Sequence, residues 1–191
     1  MVTQIKITTL VVIFIFIGGN TIMELIHSKR FYVLSVVSLF LLSVILGFLL
    51  LNTIGSLSPD QSEEYIKVSS GLETSLKIFT RNIVVATILV SGLFLFGIPT
   101  IIVLIVNGFW LGGTIALLLL ENESLANILW TIVPHGILEI PGLLIAGYIG
   151  LNGIQFYLRP KIVLKPVIRL LFVSVILLAL GSLVEGLYTI K

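Results

Sequence analysis

The sequence predicts an all-α protein, a polytopic bundle of about six transmembrane helices with proline-broken helices and one amphipathic interfacial helix. Hydrophobic residues make up 58% of the 191-residue chain and charged residues only 10%, whereas soluble domains carry roughly 25% charged residues. Apolar runs of the length needed to cross a bilayer recur along the chain. We therefore expect a single multi-pass domain in the cell membrane, with lipid around most of its side chains.

The apolar runs define the predicted spans, which cover residues 5–26, 31–51, 82–96, 100–120, 134–156 and 167–188. We interpret the first run as a retained span, because no convincing small-x-small cleavage site follows it. Residues 82–120 carry no charge and are too long for one span. We place the break at Gly97-Ile98-Pro99, because proline disfavours helix at the residue before it and lacks a backbone donor.

The long polar stretch at residues 52–81 is expected to form an extracytoplasmic loop. This orientation follows from basic residues, which collect on the cytoplasmic side of membrane proteins. They lie between the first two predicted spans and around the segment between the last two, at Lys29, Arg30, Arg159, Lys161, Lys165 and Arg169. Near the end of the stretch, apolar residues recur at helical spacing and charged residues fall on another face. We predict an amphipathic helix that lies along the membrane surface and leads into the third span.

Composition excludes several classes of function. The chain has no cysteine, so it has no disulfide framework, thiolate metal site or thiol nucleophile. No cluster of basic residues with interleaved aromatics supports nucleic-acid binding. No nucleophile–base pair or nucleotide motif is present, so we expect neither enzymatic activity nor a cofactor. The expected partners are membrane lipid and other membrane or extracytoplasmic proteins, and the chain can also form homo-oligomers.

Two ionisable residues, His135 and Glu139, lie within an otherwise apolar segment. A charged side chain at the centre of a membrane helix costs about 2.5–3.5 kcal/mol on insertion scales, so such residues face a partner or a cavity rather than lipid. Their spacing of four places them on one face of a helix. Three interpretations are open: a buried pair that locks a proline-kinked helix, a proton or ion relay, and a metal site.

A metal site would draw on a second pair, Glu24 and His27, at the end of the first predicted span. Two histidines and two carboxylates are ligands that zinc accepts. The predicted topology argues against this set, because Glu24 and His27 lie near the cytoplasmic end whereas His135 lies near the outer end. The alternative is an interfacial pair beside the basic turn that follows.

Small residues at helical spacing predict two close helix contacts. Gly108 and Gly112 form a GxxxG pattern directly after Asn107, whose amide can donate and accept in the bundle. In the fifth predicted span the small residues are spaced by four and share one face, at Gly142, Ala146 and Gly150. Another helix can press its backbone against such a stripe.

At these residues the sequence resembles the stage II sporulation protein M family of membrane proteins. The matching features lie within roughly residues 31–190, and they are Phe79-x-x-Asn82, Gly97-Ile98-Pro99, Asn107-Gly108 with Gly112, and Pro134-His135-Gly136-x-x-Glu139-x-Pro141. The chain departs from the family pattern at Gly142, where the family more often has alanine. It also departs in the additional first span.

The resemblance implies a role rather than a reaction. In the family that this sequence resembles, the sporulation member looks like the membrane anchor of an engulfment complex. It gathers two peptidoglycan-degrading proteins at the septum. Other relatives accompany peptide bacteriocin production and immunity. We therefore expect a non-enzymatic membrane scaffold that recruits or positions partner proteins. Two alternatives remain open: a transporter or channel that uses His135, Glu139 and Asn107, and an intramembrane metal-dependent hydrolase.

Overall fold

The computed structural model describes residues 29–55, 71–153 and 164–188. These residues form five long helices and no strand, which confirms the all-α prediction; the helices are α1 (Lys29–Gly55), α2 (Leu72–Ser91), α3 (Ile98–Leu120), α4 (Leu125–Leu151) and α5 (Leu164–Tyr188). The first predicted span, residues 5–26, lies outside the described residues.

Four stretches of these helices are long and apolar enough to cross a membrane: Arg30–Ile54, Leu72–Ser91, Ile98–Leu120 and Lys165–Gly186. In α4 the stretch Gly136–Leu151 is apolar but shorter. The described residues thus form the helices of a membrane protein, and they leave the predicted number of six spans open.

The bundle is organised around α4, which packs against each of the other four helices. The most extensive pairings are those of α1 with α3 and of α4 with α5. The core lies between these pairs, and its fully or nearly buried apolar side chains are Tyr32, Val36, Phe40, Ala86, Leu89, Leu104, Leu143, Ala146, Leu151 and Leu178.

Glycines set the distance between α1 and α3. A Cβ atom on Gly112 would overlap the carbonyl oxygen of Val44, and one on Gly108 would lie 2.7 Å from the carbonyl oxygen of Phe40. From the other side, a Cβ on Gly47 would overlap the backbone of Phe109. The GxxxG pattern therefore lies against the backbone of α1. Because the contacts advance in the same direction along both chains, α1 and α3 run parallel.

A tight turn at residues 92–97 joins α2 to α3. Gly97 precedes α3 in the left-handed region, with φ of 75°, and its N–H donates to the Gly92 carbonyl at 2.8 Å. Glycine adopts this conformation without steric cost. Pro99 follows in the first turn of α3, where its missing N–H breaks no intrahelical bond. The break predicted at Gly97-Ile98-Pro99 thus coincides with the end of this turn.

The same turn lies against the carboxyl end of α4. Thr100 is fully buried, and its hydroxyl donates to the Leu89 carbonyl at 2.7 Å. A Cβ on Gly150 would overlap both the Leu89 carbonyl oxygen and the Thr100 hydroxyl, and one on Gly153 would overlap the Gly92 carbonyl oxygen. Three helix ends therefore meet with their backbones in contact, and this junction holds α2, α3 and α4 at one end of the bundle.

The structure corrects the predicted proline break near residue 134. We expected the fifth span to begin at Pro134, but α4 runs without interruption from Leu125 to Leu151. Each internal proline removes one helical N–H and crowds the preceding turn. The packing of α4 against four neighbours offsets that loss, so neither Pro134 nor Pro141 ends the helix.

The structure also corrects the region between residues 52 and 96. Residues 52–55 continue α1, and residues 72–91 form the single helix α2, so of the expected loop 52–81 residues 56–71 lie outside the described helices. The predicted amphipathic segment and the start of the predicted third span therefore belong to one continuous helix. The expected third span, residues 82–96, ends early because the turn begins at Gly92.

We predict that Gly112→Ala destabilises the protein by about 1–3 kcal/mol, the usual cost of overpacking, because the new methyl group would overlap the Val44 backbone of α1. The matched control is Gly136→Ala. At Gly136 the nearest atoms are side chains of its own helix at 3.9 Å, and alanine is the better helix former. Thermal unfolding in detergent measures both variants. Equal midpoints for the two would contradict a close α1–α3 contact.

Candidate functional site

Glu139 is the buried carboxylate of the described bundle. It is the fifteenth of the 27 residues of α4 and has 0% of its surface exposed. The Ser182 hydroxyl of α5 lies 3.1 Å from its Oε1 and donates to it. A Cβ on Gly181 would overlap the Cγ atom of Glu139, so the absence of a side chain at Gly181 makes room for the carboxylate.

Ser182 also contacts a second acceptor. Its hydroxyl lies 2.7 Å from the carbonyl oxygen of Leu178, one turn earlier in α5. A serine hydroxyl has a single proton, so that proton is shared between the helix carbonyl and the Glu139 carboxylate. The geometry fixes the Ser182 side chain in one orientation, with its oxygen directed at α4.

A second hydrogen bond crosses between the same two helices. The buried Ser174 hydroxyl donates to the Gly142 carbonyl at 2.7 Å, and a Cβ on Gly142 would lie 3.0 Å from the Leu178 side chain. Together these contacts form the α4–α5 seam, which we define as Glu139, Gly142, Ser174, Gly181 and Ser182. The contacts run in opposite directions along the two chains, so α4 and α5 are antiparallel.

The seam includes part of the predicted His135–Glu139 pair. The backbone of His135 belongs to α4, one turn before Glu139, and its side chain lies outside the described part of the structure. The pairing of the two side chains therefore stays a prediction. Within the same motif, Pro134 lies inside α4, Gly136 meets only side chains of its own helix, and Pro141 is exposed.

Asn107 lies on a different helix pair. It belongs to α3, and its side-chain amide donates to the Val103 carbonyl of the same helix at 2.8 Å. Its neighbour Gly108 contacts α1 rather than α5. The described hydrogen bond therefore holds Asn107 to its own helix and does not link it to the seam.

The small-residue stripe of α4 contacts three different helices. Gly142 faces α5 at Leu178 and Ser174, whereas Gly150 faces Leu89 of α2 and Thr100 of α3. Ala146, between them, is fully buried. The sequence predicted that this stripe would pack against a single helix. In the structure it lies at the centre of the bundle and contacts several helices.

The described residues do not provide a cluster of metal ligands. Among the side chains that the structure describes, which do not include that of His135, no cluster of three or more His, Cys, Asp or Glu occurs. Glu24 and His27 lie outside these ranges, so their relation to His135 and Glu139 stays a prediction.

Three residues of the seam were not singled out from the sequence: Ser174, Gly181 and Ser182. All three lie in α5. A signal was present, since Ser174, Gly181 and Ser182 are small and recur at seven- and eight-residue spacing, which places them on one helix face. Such a face opposite a small-residue stripe is typical of paired membrane helices.

Comparison with known proteins identifies a family and a similar protein that match most of the chain. The sequence model of a family described as Stage II sporulation protein M matches residues 36–190. An uncharacterised protein of Methanocaldococcus jannaschii is 31% identical over 164 residues, which cover 80% of this chain and 90% of that protein. No solved structure matches the chain. The family match includes α2 to α5, most of α1 and every residue of the α4–α5 seam.

A double-mutant cycle tests the seam. We predict that Gly181→Ala destabilises the protein by about 1–3 kcal/mol through overpacking, because the added methyl group would overlap Glu139. In a Glu139→Ala background the same change should cost less, with a coupling of about 0.5–3 kcal/mol, as for residues in direct contact. Thermal unfolding of the four proteins in detergent gives the coupling. Additive effects would show that the two residues do not touch.

Proposed function

Since the chain belongs to the stage II sporulation protein M family, we propose that it is a multi-pass protein of the cell membrane that acts as a scaffold for partner proteins. In this proposal the bundle binds other membrane or extracytoplasmic proteins and holds them at one place in the membrane. The resemblance suggests peptidoglycan-degrading proteins as the class of partner. The bundle itself carries out no reaction.

The observation that supports this proposal most is the packing of Glu139. A residue that relays protons or ions needs access to water or to a cavity. Glu139 instead has no exposed surface, and its side chain lies against Gly181 and Ser182 of α5. A carboxylate in this position orients two helices, as a buried polar contact between membrane helices does.

The described helices also offer surface for partners. Their outward faces carry many large apolar side chains, from Leu34 and Leu42 on α1 to Phe172 and Leu180 on α5. Lipid covers such faces in a membrane, and a partner helix with matching shape can replace the lipid without a hydrophobic penalty. A rigid bundle with broad apolar faces suits a protein whose role is to hold others.

The scaffold proposal predicts a stable complex. Affinity purification of the tagged chain from its own membranes in mild detergent should return at least one membrane or extracytoplasmic protein in a fixed ratio. Glu139→Gln should return the same partner, because the amide retains the size and an acceptor oxygen for Ser182. If the parent protein returned no partner under these conditions, the proposal would be overturned.

A second candidate function is transport of a proton or an ion. The observation in its favour is an ionisable group deep in α4, with a hydroxyl donor 3.1 Å away and prolines at positions 134 and 141 that free backbone carbonyls. This candidate predicts that Glu139→Gln abolishes flux in liposomes that contain the purified protein. Flux that is equal in the two proteins, or absent from the parent, would reject it.

A further inference from the structure

The outward faces of the described helices differ in one respect. On α1, α3 and α5 the exposed side chains away from the helix ends are almost all large and apolar. On α2 the exposed face instead carries three charged residues and two threonines. We define the α2 polar face by its exposed residues Glu73, Lys77, Thr80, Arg81, Val84, Thr87 and Ile88.

Most polar groups of this face are satisfied within α2. Glu73 and Lys77 form an ion pair at 2.7 Å. The Thr80 hydroxyl donates to the Leu76 carbonyl at 2.8 Å, and the Thr87 hydroxyl donates to the Ile83 carbonyl at 2.8 Å. Arg81 differs, because no carboxylate of the described residues forms an ion pair with it. The α2 polar face therefore has one positive charge in excess.

Arg81 lies at the middle height of the bundle. It is the tenth of the 20 residues of α2, so about 15 Å of helix separates it from either end, at 1.5 Å per residue. The two ends of α2 coincide with the ends of its neighbours: the Gly71 N–H donates to the Gly186 carbonyl of α5, and Leu89 contacts Gly150 of α4. α2 thus runs the height of the candidate spans rather than along the membrane surface.

An arginine at this depth is unfavourable against lipid. Charged side chains within membrane helices face a partner or water and not the hydrocarbon. The neighbouring exposed residues of the face, Thr80, Val84 and Thr87, are short and let a second helix approach closely. Guanidinium groups form bidentate, charge-assisted hydrogen bonds with carboxylates. Charge and shape therefore favour a helix that brings a carboxylate to Arg81.

We propose that the α2 polar face binds a transmembrane helix of a different protein, whose Asp or Glu side chain lies level with Arg81. This proposal rests on the scaffold function and names its contact surface. A second copy of the chain fits less well. Two copies inserted in the same orientation and related by a two-fold axis would bring equivalent residues together, so the two Arg81 side chains would repel each other.

Site-specific photocrosslinking in the native membrane tests this surface. Benzoylphenylalanine is placed at Val84 on the α2 polar face, and at Leu42 on the exposed apolar face of α1 as a matched control. The Val84 probe should form an adduct with a membrane protein, at a peptide within a transmembrane segment that contains Asp or Glu. The Leu42 probe should not form this adduct.

Arg81 variants then test the role of the charge. Arg81→Glu should lower the yield of the adduct by about tenfold, the effect of losing an interhelical polar contact of ordinary strength in a membrane. Replacing the partner's carboxylate with arginine in the same cells should restore the yield. Arg81→Leu should also lower the yield. Because leucine is well tolerated in a membrane helix, a loss in this variant would arise from the missing charge and not from misfolding.

Several results would overturn the proposal: no adduct from Val84, an adduct with a second copy or within the chain itself, or an adduct whose yield Arg81→Leu leaves unchanged. Co-purification then distinguishes failure of the proposed contact surface from failure of the scaffold function. If partners co-purify equally with the parent protein and with Arg81→Leu, the scaffold stands and the α2 polar face is not its contact surface. If neither protein retains a partner, the scaffold function fails as well.

Discussion

Close approach of helix backbones is the constraint on which this bundle depends. Apolar side chains gain little by leaving lipid for another helix, so membrane helices associate through packing and interhelical hydrogen bonds. Gly112 against Val44, Gly150 against Leu89 and Gly186 against Ser75 each bring a helix backbone into contact with its neighbour. A methyl group at any of these positions would separate the helices. The small residues therefore determine which faces meet, and the large apolar residues are left for the outward faces.

The same constraint explains the environment of Glu139. Once α4 and α5 lie within van der Waals contact at Gly142 and Gly181, little space remains between them, and a carboxylate in that space must bond to the opposite helix. Ser182 and Ser174 provide those bonds to the side chain and the backbone of α4. A central helix with two internal prolines gains from contacts with its neighbours, because each proline removes one helical hydrogen bond. The polar groups of the seam thus stabilise the arrangement of the helices.

The two faces of α2 differ in their surroundings, and the proposed scaffold function assigns them different roles. Its inner face holds the bundle through Ser75, Ala86 and Leu89, which are buried. Its outer face carries Lys77 and Arg81, which are exposed. A polar contact between membrane helices is directional and tolerates few alternative partners, whereas apolar faces accept many. In the proposed complex, the exposed charge of α2 would provide specificity that the apolar outward faces of α1 and α5 do not have.

The sequence by itself determined the all-α class, the membrane as solvent and the small-residue contacts, because hydropathy, helical spacing and glycine content are local properties of the chain. Gly108 and Gly112, the turn before Pro99 and the isolated Glu139 could all be identified this way. Only the tertiary structure decided that α4 continues through Pro134 and Pro141, that Ser182 and Gly181 receive Glu139, and that Arg81 lies on an outward face at mid-height. These features depend on which helix lies beside which. The contacts that stabilise a helix with internal prolines come from residues that are distant in sequence. The same distant residues determine which face of α2 is buried and which face carries Arg81 outward.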